Sequence, residues 1–320
     1  MNYKFESLFA EDIKSFISFK CALGYSETSY DKFMSGFDKF CAETYPLASE
    51  LTQSIVENWS LPRKGEHVNG IKRRLHAIRQ FGKYLDYMGK PAYIIPSKLI
   101  GSYRPFTPYI YDDRELKAFF AAADRIKPTK QSPFKDYVVP VMFRLQYCCG
   151  LRPFELRNIR LADMDYDSGI LKIVDSKNHR DRNVVLSNDL HKLCRRYEKE
   201  ISLRQPERQY YFENPKGGTY SANWIQNQFW FCWENTGISF RDRRNPRVYD
   251  ARHNYATRIM ANWMDERLDV NTMLPYLSEY MGHSSLEDTA YYLHLLPDRI
   301  SAGNFTDMTE LLFPEVPNEY

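Results

Sequence analysis

The stretch YMGHSSLEDTAYYLHL, residues 280–295, carries two adjacent tyrosines, with a histidine nine positions before the second and a threonine three before it. Such a stretch is either the packed surface of an ordinary helix or the place of a nucleophile. Successive side chains on an α-helix point about 100° apart, so only one of Tyr291 and Tyr292 can face a given site. The rest of the chain must decide which of these explanations holds.

The chain has 320 residues, which predicts two domains at ~150 residues each. Hydrophobic residues make up 43% and charged residues 27%, an ordinary globular composition. The net charge is only +3, so nucleic-acid binding would have to come from local basic patches. No run approaches the ~18 apolar residues of a membrane span, and the N-terminus lacks the pattern of a secretion signal. We therefore expect a cytoplasmic protein with no membrane partner.

The six cysteines show no CxxC spacing, which predicts free thiols in a reducing compartment and no zinc site. The sequence also has no P-loop, no GxSxG element of a serine hydrolase and no cluster of metal ligands. We therefore expect neither a metal nor another cofactor.

The first ninety residues read as helices, and the most informative is expected from about Asn69 to Met88. One face of it is apolar at i, i+3/i+4 spacing, and another face is basic. Such a helix can pack by one side and meet phosphates with the other, although a solvated basic face is the alternative. Arg74 adds to the basic cluster, and the candidate phosphate contacts in this region are Arg63, Lys64, Lys72, Arg73, His76, Arg79 and Lys83.

Four prolines fall between residues 91 and 111, where helical periodicity fades, so this segment is predicted to be an inter-domain linker. It separates an N-terminal helical domain, residues 1–100, from a second domain, residues 112–320. In the second domain, two short strands at 169–174 and 183–186 flank the charged turn DSKNHRDR and predict a hairpin. The expected fold class is mainly α with a small antiparallel β-sheet (α+β).

Three segments of the second domain resemble the motifs of one enzyme family, in the family's order and spacing. GLRPFEL (150–156), DARHNYAT (250–257) and MGHSSLEDTAYYLH (281–294) resemble the motifs of the tyrosine recombinases, also called phage-type integrases. A lysine-bearing hairpin lies between the first and the second motif, as it does in the family. The resemblance covers about residues 112–295.

The resemblance implies a role for each matching residue. Tyr292 falls on the nucleophile and Tyr291 on a spacer. Arg152 and Arg252 fall on the arginines that hold the phosphate oxygens, where they would stabilise the charge built up during attack. His283 falls on a further hydrogen-bond donor to the phosphate, and Glu155 on an acidic residue that supports the site or caps a helix.

The resemblance also implies that a lysine in the hairpin turn is the general acid that protonates the leaving 5′ hydroxyl. Lys177 is the match. The turn also holds Arg180 and Arg182, so the alignment of the turn with the family's lysine stays open. These two arginines are further predicted DNA contacts. The sequence departs from the family at Tyr249, where a histidine is usual. A tyrosine can keep a binding role but is a weaker acid–base group near pH 7, so proton uptake from Tyr292 is expected to be slower or to fall to another group. His253 is expected to be structural.

The family implies a site-specific recombinase that cleaves and rejoins double-stranded DNA through a 3′-phosphotyrosine, without metal or ATP. It further implies a homo-tetramer on paired sites, with possible accessory recombinases or DNA-bending proteins, associated with the nucleoid when bound to DNA. Residues 1–100 would be a SAM-like core-binding domain that clamps DNA, and the tail 297–320, containing FTDMTELLF (305–313), would dock on a neighbouring protomer or pack in cis. The role could be integration and excision of a mobile element, transposition or chromosome resolution. The alternatives are a type IB topoisomerase, a catalytically impaired DNA-binding relative and an unrelated helical DNA-binding protein.

Overall fold

The computed structural model describes residues 3–297, apart from 104–105, 175–180 and 239–244. The chain divides into two compact units, Met1–Phe106 (unit 1) and Thr107–Tyr320 (unit 2). Within the described ranges, no helix combines the length and the apolar character needed to cross a membrane.

Unit 1 is helical and packs around an aromatic core. Phe16, Phe37 and Phe81 are fully buried at its centre, with Trp59 packed edge-on against Phe37. Burial of large aromatic rings is a strong source of stability for a small helical domain. The helices are α1 (Ala10–Ala22), α2 (Glu27–Thr44), α3 (Gln53–Ser60), α4 (Val68–Tyr87) and α5 (Ser97–Ile100).

The segment predicted as a linker, residues 91–111, is packed at both ends, so its predicted extent is wrong. Ala92 forms a bridge with Leu51, and Ile95 is buried in the core of unit 1. At the other end, Tyr109 and Tyr111 are buried in the core of unit 2. The prolines prevent long helices here, but they do not prevent the side chains between them from packing.

Unit 2 is built around the buried helix α7 (Lys135–Cys149), which packs against four other helices among the described residues of the unit. Its first helix, α6 (Asp113–Asp124), begins with a capping box: the Asp112 carboxylate accepts from the Glu115 backbone N–H, and the Glu115 carboxylate accepts from that of Asp112. The later helices are α8 (Pro153–Asn158), α9 (Asn188–Ser202), α10 (Ala222–Glu234), α11 (Asp250–Asp265), α12 (Val270–Met281) and α13 (Leu286–Ala290).

Unit 2 also contains a three-stranded antiparallel sheet of β1 (Met164–Asp165), β2 (Ile170–Ile173) and β3 (Arg182–Val185), in that order. The predicted hairpin is β2–β3, with Ile170 opposite Val185 and Ile173 opposite Arg182. The predicted mainly helical α+β class is therefore confirmed. Because side chains alternate between the two faces of a strand, Arg182 lies on the buried face of β3 with Val184.

The last helical segment of unit 2 among the described residues changes from one helix type to another halfway. Helix α13 ends at Ala290, and a 3₁₀ helix runs from Tyr291 to Leu295. A 3₁₀ helix has about three residues per turn, so Tyr291 and Tyr292 point about 120° apart instead of 100°.

Candidate active site

Arg152 is positioned by the break between α7 and α8. Helix α7 ends at Gly150, whose φ of +61° is left-handed, and a Cβ there would lie 2.6 Å from Cδ1 of Tyr255. The Nη1 group of Arg152 donates to Oε1 of Glu155 at 2.7 Å, and its Nη2 group donates to the carbonyl of Gly282 at 2.8 Å. Arg152 is thereby held between a carboxylate and a backbone carbonyl from a distant part of the chain.

Arg252, on the first turn of α11, is 0% exposed. Its Nη1 donates to the carbonyl of Gly150 at 2.6 Å and its Nη2 to that of Met281 at 2.5 Å, while its buried Nε has no partner among the described residues. Burial, and then the nearby Arg152, lower the pKa of this guanidinium. The fold thus keeps a cation out of water with backbone carbonyls as its hydrogen-bond partners, an arrangement that is costly until an anion arrives.

Glu155 connects Arg152 to Arg182. The two η nitrogens of Arg182 donate to the two carboxylate oxygens of Glu155 at 2.9 and 2.8 Å, and its Nε donates to the carbonyl of Tyr280. Burial raises the pKa of Glu155, but the hydrogen bonds and charges of Arg182 and Arg152 outweigh it and lower the pKa to about 2. The predicted DNA contact by Arg182 is therefore wrong, because its guanidinium is buried and used within the protein.

His283 follows the end of α12 at Gly282, which is also left-handed at φ +63°. Its imidazole is buried, and Nδ1 lies 2.6 Å from the Thr289 hydroxyl oxygen, which fixes the ring. Burial, followed by Arg252 and Arg152, lowers the pKa of His283 to about 3. The ring is therefore neutral at physiological pH and suited to hydrogen bonding with a bound anion.

Tyr292 is the tyrosine that the fold brings to the arginines. It is 3% exposed, its ring stacks on His283 at 5.9 Å between centroids, and it lies within the influence of Arg252. Burial raises the pKa of Tyr292 to about 12, and the charge and hydrogen bond of Arg252 oppose this rise. Tyr291 is only partly buried and packs edge-on against Tyr292 at 5.9 Å.

Tyr249 precedes α11 and is 39% exposed. One helical turn further on, His253 places its ring 5.3 Å from that of Tyr249 and 5.6 Å from that of Tyr292. Burial, then Arg247 and Arg252, lower the pKa of His253 to about 4. Its buried Nδ1 has no hydrogen-bond partner in the part of the chain that the structure describes.

Several predicted residues lie outside the described residues. Lys177 and Arg180 fall within 175–180, and the segment 305–313 falls within the tail. Their roles stay predictions.

The basic face predicted for α4 is present in unit 1, with differences. Arg63, Lys64, Arg73, His76 and Lys83 are exposed. Lys72 and Arg79 are partly buried and donate to the carbonyls of Ser102 and Ile95. Arg74 is buried against Glu66, at 2.8 Å from Nε to Oε1, so it does not belong to the exposed cluster.

Sequence reasoning missed two contributors to the site: the internal role of Arg182 and the orientation of His283 by Thr289. The alternation of β3 could have revealed the first, since Arg182 is in phase with the apolar Val184. No three His, Cys, Asp or Glu side chains among the described residues are grouped as metal ligands.

Known proteins resemble this chain in sequence and in fold. A model of the phage integrase family matches residues 111–299, more than half of the chain. A protein assigned as an integrase/recombinase in Sinorhizobium fredii is 27% identical over 303 residues, covering 91% of this chain and 94% of that protein. Tyrosine recombinase XerC of Chlamydia caviae is also 27% identical, over 70% of this chain and 67% of its own.

Two solved structures share the fold. A lambda integrase dimer bound to a core site has a TM-score of 0.64 at 12% identity, covering 88% of this chain and 94% of that one. The XerH recombinase bound to a palindromic difH substrate after cleavage has a TM-score of 0.63 at 18% identity, covering 86% of this chain and 78% of that one.

Proposed function

The chain belongs to the phage integrase family, and on this premise we propose that it is a site-specific DNA recombinase whose nucleophile is Tyr292. The family resemblance expected from the three sequence motifs is thereby confirmed. The geometry of unit 2 supports the residue assignments that we propose, except that of Lys177, which rests on the sequence motif alone.

One observation carries the proposal: three guanidinium groups, of Arg152, Arg182 and Arg252, are gathered around the single paired carboxylate of Glu155. The excess of buried positive charge favours an anion at this place. Each η nitrogen of Arg152 and Arg252 already donates one hydrogen bond to the protein. These bonds fix the guanidinium planes and leave further N–H groups to bind phosphate oxygens. A phosphodiester of DNA fits this charge and this donor geometry.

The chemistry follows from that placement. The phenolic oxygen of Tyr292 forms a bond to the scissile phosphorus, and the bond from phosphorus to the 5′ oxygen breaks. Charge that develops on the non-bridging oxygens is stabilised by Arg152 and Arg252, with His283 as a further hydrogen-bonding group. Lys177 supplies the proton for the leaving 5′ hydroxyl. The 3′-phosphotyrosine keeps the energy of the broken bond, so a 5′ hydroxyl from another strand can reverse the step.

The exposed basic residues of unit 1 support a second part of the proposal, that α4 and the segment before it bind the phosphates of the same DNA site. Exchange between two duplexes requires four strands to be cut, so the working assembly is a homo-tetramer on paired sites. Accessory recombinases or DNA-bending proteins would assist it. Integration and excision of a mobile element, or transposition, are the reactions of this kind that we propose.

Strand exchange tests the proposal. Two DNA fragments of different length, each carrying the sequences that flank the gene, are incubated with the protein, and recombinant lengths are sought after deproteinisation. Recombinant products that require both sites are expected. Relaxation of supercoiled DNA without exchange would instead indicate a topoisomerase-like enzyme, and binding without cleavage would indicate an impaired relative.

A further inference from the structure

The proton of Tyr292 needs an acceptor when the phenol attacks phosphorus. At Tyr249, where the family usually has a histidine, this chain has a phenol, which is a poor base near neutral pH. The acceptor must therefore be sought among the other groups that touch Tyr292.

His253 is such a group. It lies four residues after Tyr249 on α11, so the two side chains share one helix face. Its imidazole meets the Tyr292 ring at 61° with centroids 5.6 Å apart, a separation at which ring edges are in contact. It also meets Tyr249 at 5.3 Å, so it lies against both the substituted position and the nucleophile.

The hydrogen bonding of His253 leaves it able to receive a proton. Its Nδ1 is buried and has no hydrogen-bond partner among the described residues. Burying a polar atom without a partner costs free energy, so such an atom calls for a functional explanation. His283, which also touches Tyr292, is less suitable, because its Nδ1 is engaged with Thr289 and Arg252, Arg152 and Arg182 all surround it.

We propose that His253 is the catalytic base of the reaction, accepting the phenolic proton of Tyr292 in place of the histidine that Tyr249 replaces. The inference rests on the proposed function. In the step, the O–H bond of Tyr292 breaks, its proton passes to the imidazole, and the phenolic oxygen bonds to phosphorus as the 5′ oxygen leaves with a proton from the general acid. In the rejoining step, the imidazolium returns the proton to the Tyr292 oxygen as the phosphotyrosine bond breaks.

The charges around His253 are consistent with this role. The titratable groups that face it are Arg247, Arg252, Tyr249, Tyr291 and Tyr292. The two arginines and burial hold its pKa at about 4, so above about pH 5 the ring is neutral and has a lone pair to offer. A phosphodiester bound to Arg252 brings a negative charge that offsets the arginines and makes the imidazolium easier to form.

The test is single-turnover cleavage of nicked DNA on which the wild-type protein forms a covalent adduct. His253→Gln is compared with wild type, with His253→Asn as a second variant and His191→Gln as a control on α9. At pH 7, His253→Gln is expected to cleave at least about 100-fold more slowly, the size of effect that general bases have. Its rate should then rise about tenfold per pH unit towards pH 9, because hydroxide replaces the base, while the wild-type rate stays nearly flat.

A rescue separates a base from a packing role. Adding Tyr249→His to His253→Gln returns a histidine to the family's usual position and is expected to recover most of the rate at pH 7. The inference is overturned if His253→Gln cleaves within about threefold of wild type, or if its deficit is the same at every pH and Tyr249→His does not relieve it. Adducts that persist in Tyr292→Phe would instead overturn the assignment of Tyr292 as the nucleophile, on which this inference rests.

Discussion

Two groups of basic side chains in this protein differ in burial. In unit 2, Arg252 and Arg182 are buried and their guanidinium groups are fixed by carbonyls and by Glu155. In unit 1, Arg73 and Lys83 project from α4 into solvent. The buried group binds charge in a fixed geometry at low dielectric, where each contact is strong. The exposed group acts at high dielectric and is screened by salt.

Because of this difference in burial, substitutions in the two groups should have different effects on DNA cleavage and DNA affinity. Loss of Arg252, in the buried group, should slow the chemical step, since the additional negative charge on the phosphate oxygens develops only in the transition state. Loss of an exposed one should weaken DNA affinity and leave the chemical step unchanged at saturation.

The largest expected effect is that of Arg252→Lys. Lysine keeps the charge but cannot reach both carbonyls and present a planar fork to phosphate. Cleavage on saturating DNA is expected to fall about 10³-fold with little change in affinity. Arg144→Lys is the matched control, because Arg144 is a buried arginine paired with Asp124 at 2.7 Å in the same unit. It should lose stability and keep its cleavage rate; cleavage by Arg252→Lys within tenfold of wild type would contradict the account.

The next effect concerns Glu155 and acid stability. Its pKa is lowered from 4.5 to about 2 in the folded protein, so its ionisation stabilises the fold above pH 4.5 and this contribution is lost as the pH falls towards 2. The full contribution is about 3 kcal/mol. Urea unfolding from pH 6 to pH 2.5 should show most of this loss in wild type and not in Glu155→Gln. Glu200→Gln, which removes the partly exposed partner of Arg204 in the same unit, should keep it; an unchanged acid response in Glu155→Gln would refute the assignment.

An effect of similar size is expected at the turn that positions both arginines. Gly150→Ala places a Cβ 2.6 Å from Tyr255 in a left-handed conformation, and it should lower the free energy of unfolding by about 3 kcal/mol. Gly24→Ala has a similar φ, +84°, with no atom near the new Cβ, and should cost about 1 kcal/mol. Equal losses in thermal denaturation would mean that the contact with Tyr255 is not as close as described.

The smallest effect belongs to the exposed group. Arg73→Gln and Lys83→Gln should each reduce the slope of log affinity against log salt by about one, with saturating cleavage rates unchanged. Lys39→Gln on α2, an exposed lysine near Glu43, serves as the control and should leave the slope unaltered. Fluorescence anisotropy across a salt series measures the slope, and a loss of cleavage at saturation would remove the distinction between the two groups.

Much of the fold and of the candidate site could be predicted from the sequence because these features depend on local patterns. The apolar period of α4, the two short strands that flank a charged turn and the order of the three motifs predicted that helix, the fold class and the family. These signals are contained within short segments, where periodicity and capping act.

The rest depends on contacts between segments far apart in the chain. Arg182 appeared to be one more charge in a polar turn, although the pairing of β2 with β3 directs it towards Glu155, 27 residues away. His253 appeared structural because its contacts with Tyr249 and Tyr292 require α11 and the last 3₁₀ helix to meet. The packed ends of the segment 91–111 were missed because prolines indicate irregular backbone and say nothing about burial.

The most direct test of the account compares the two adjacent tyrosines. Wild type, Tyr291→Phe and Tyr292→Phe, each verified to be folded, are mixed with nicked DNA carrying the flanks of the gene, denatured in detergent and assayed for protein-linked DNA. Because Tyr292 lies against Arg252 and His283 and Tyr291 does not share that burial, adducts should form with wild type and Tyr291→Phe and vanish with Tyr292→Phe. Adducts that vanish with Tyr291→Phe and persist with Tyr292→Phe would show that the buried arginine cluster is not the site of attack.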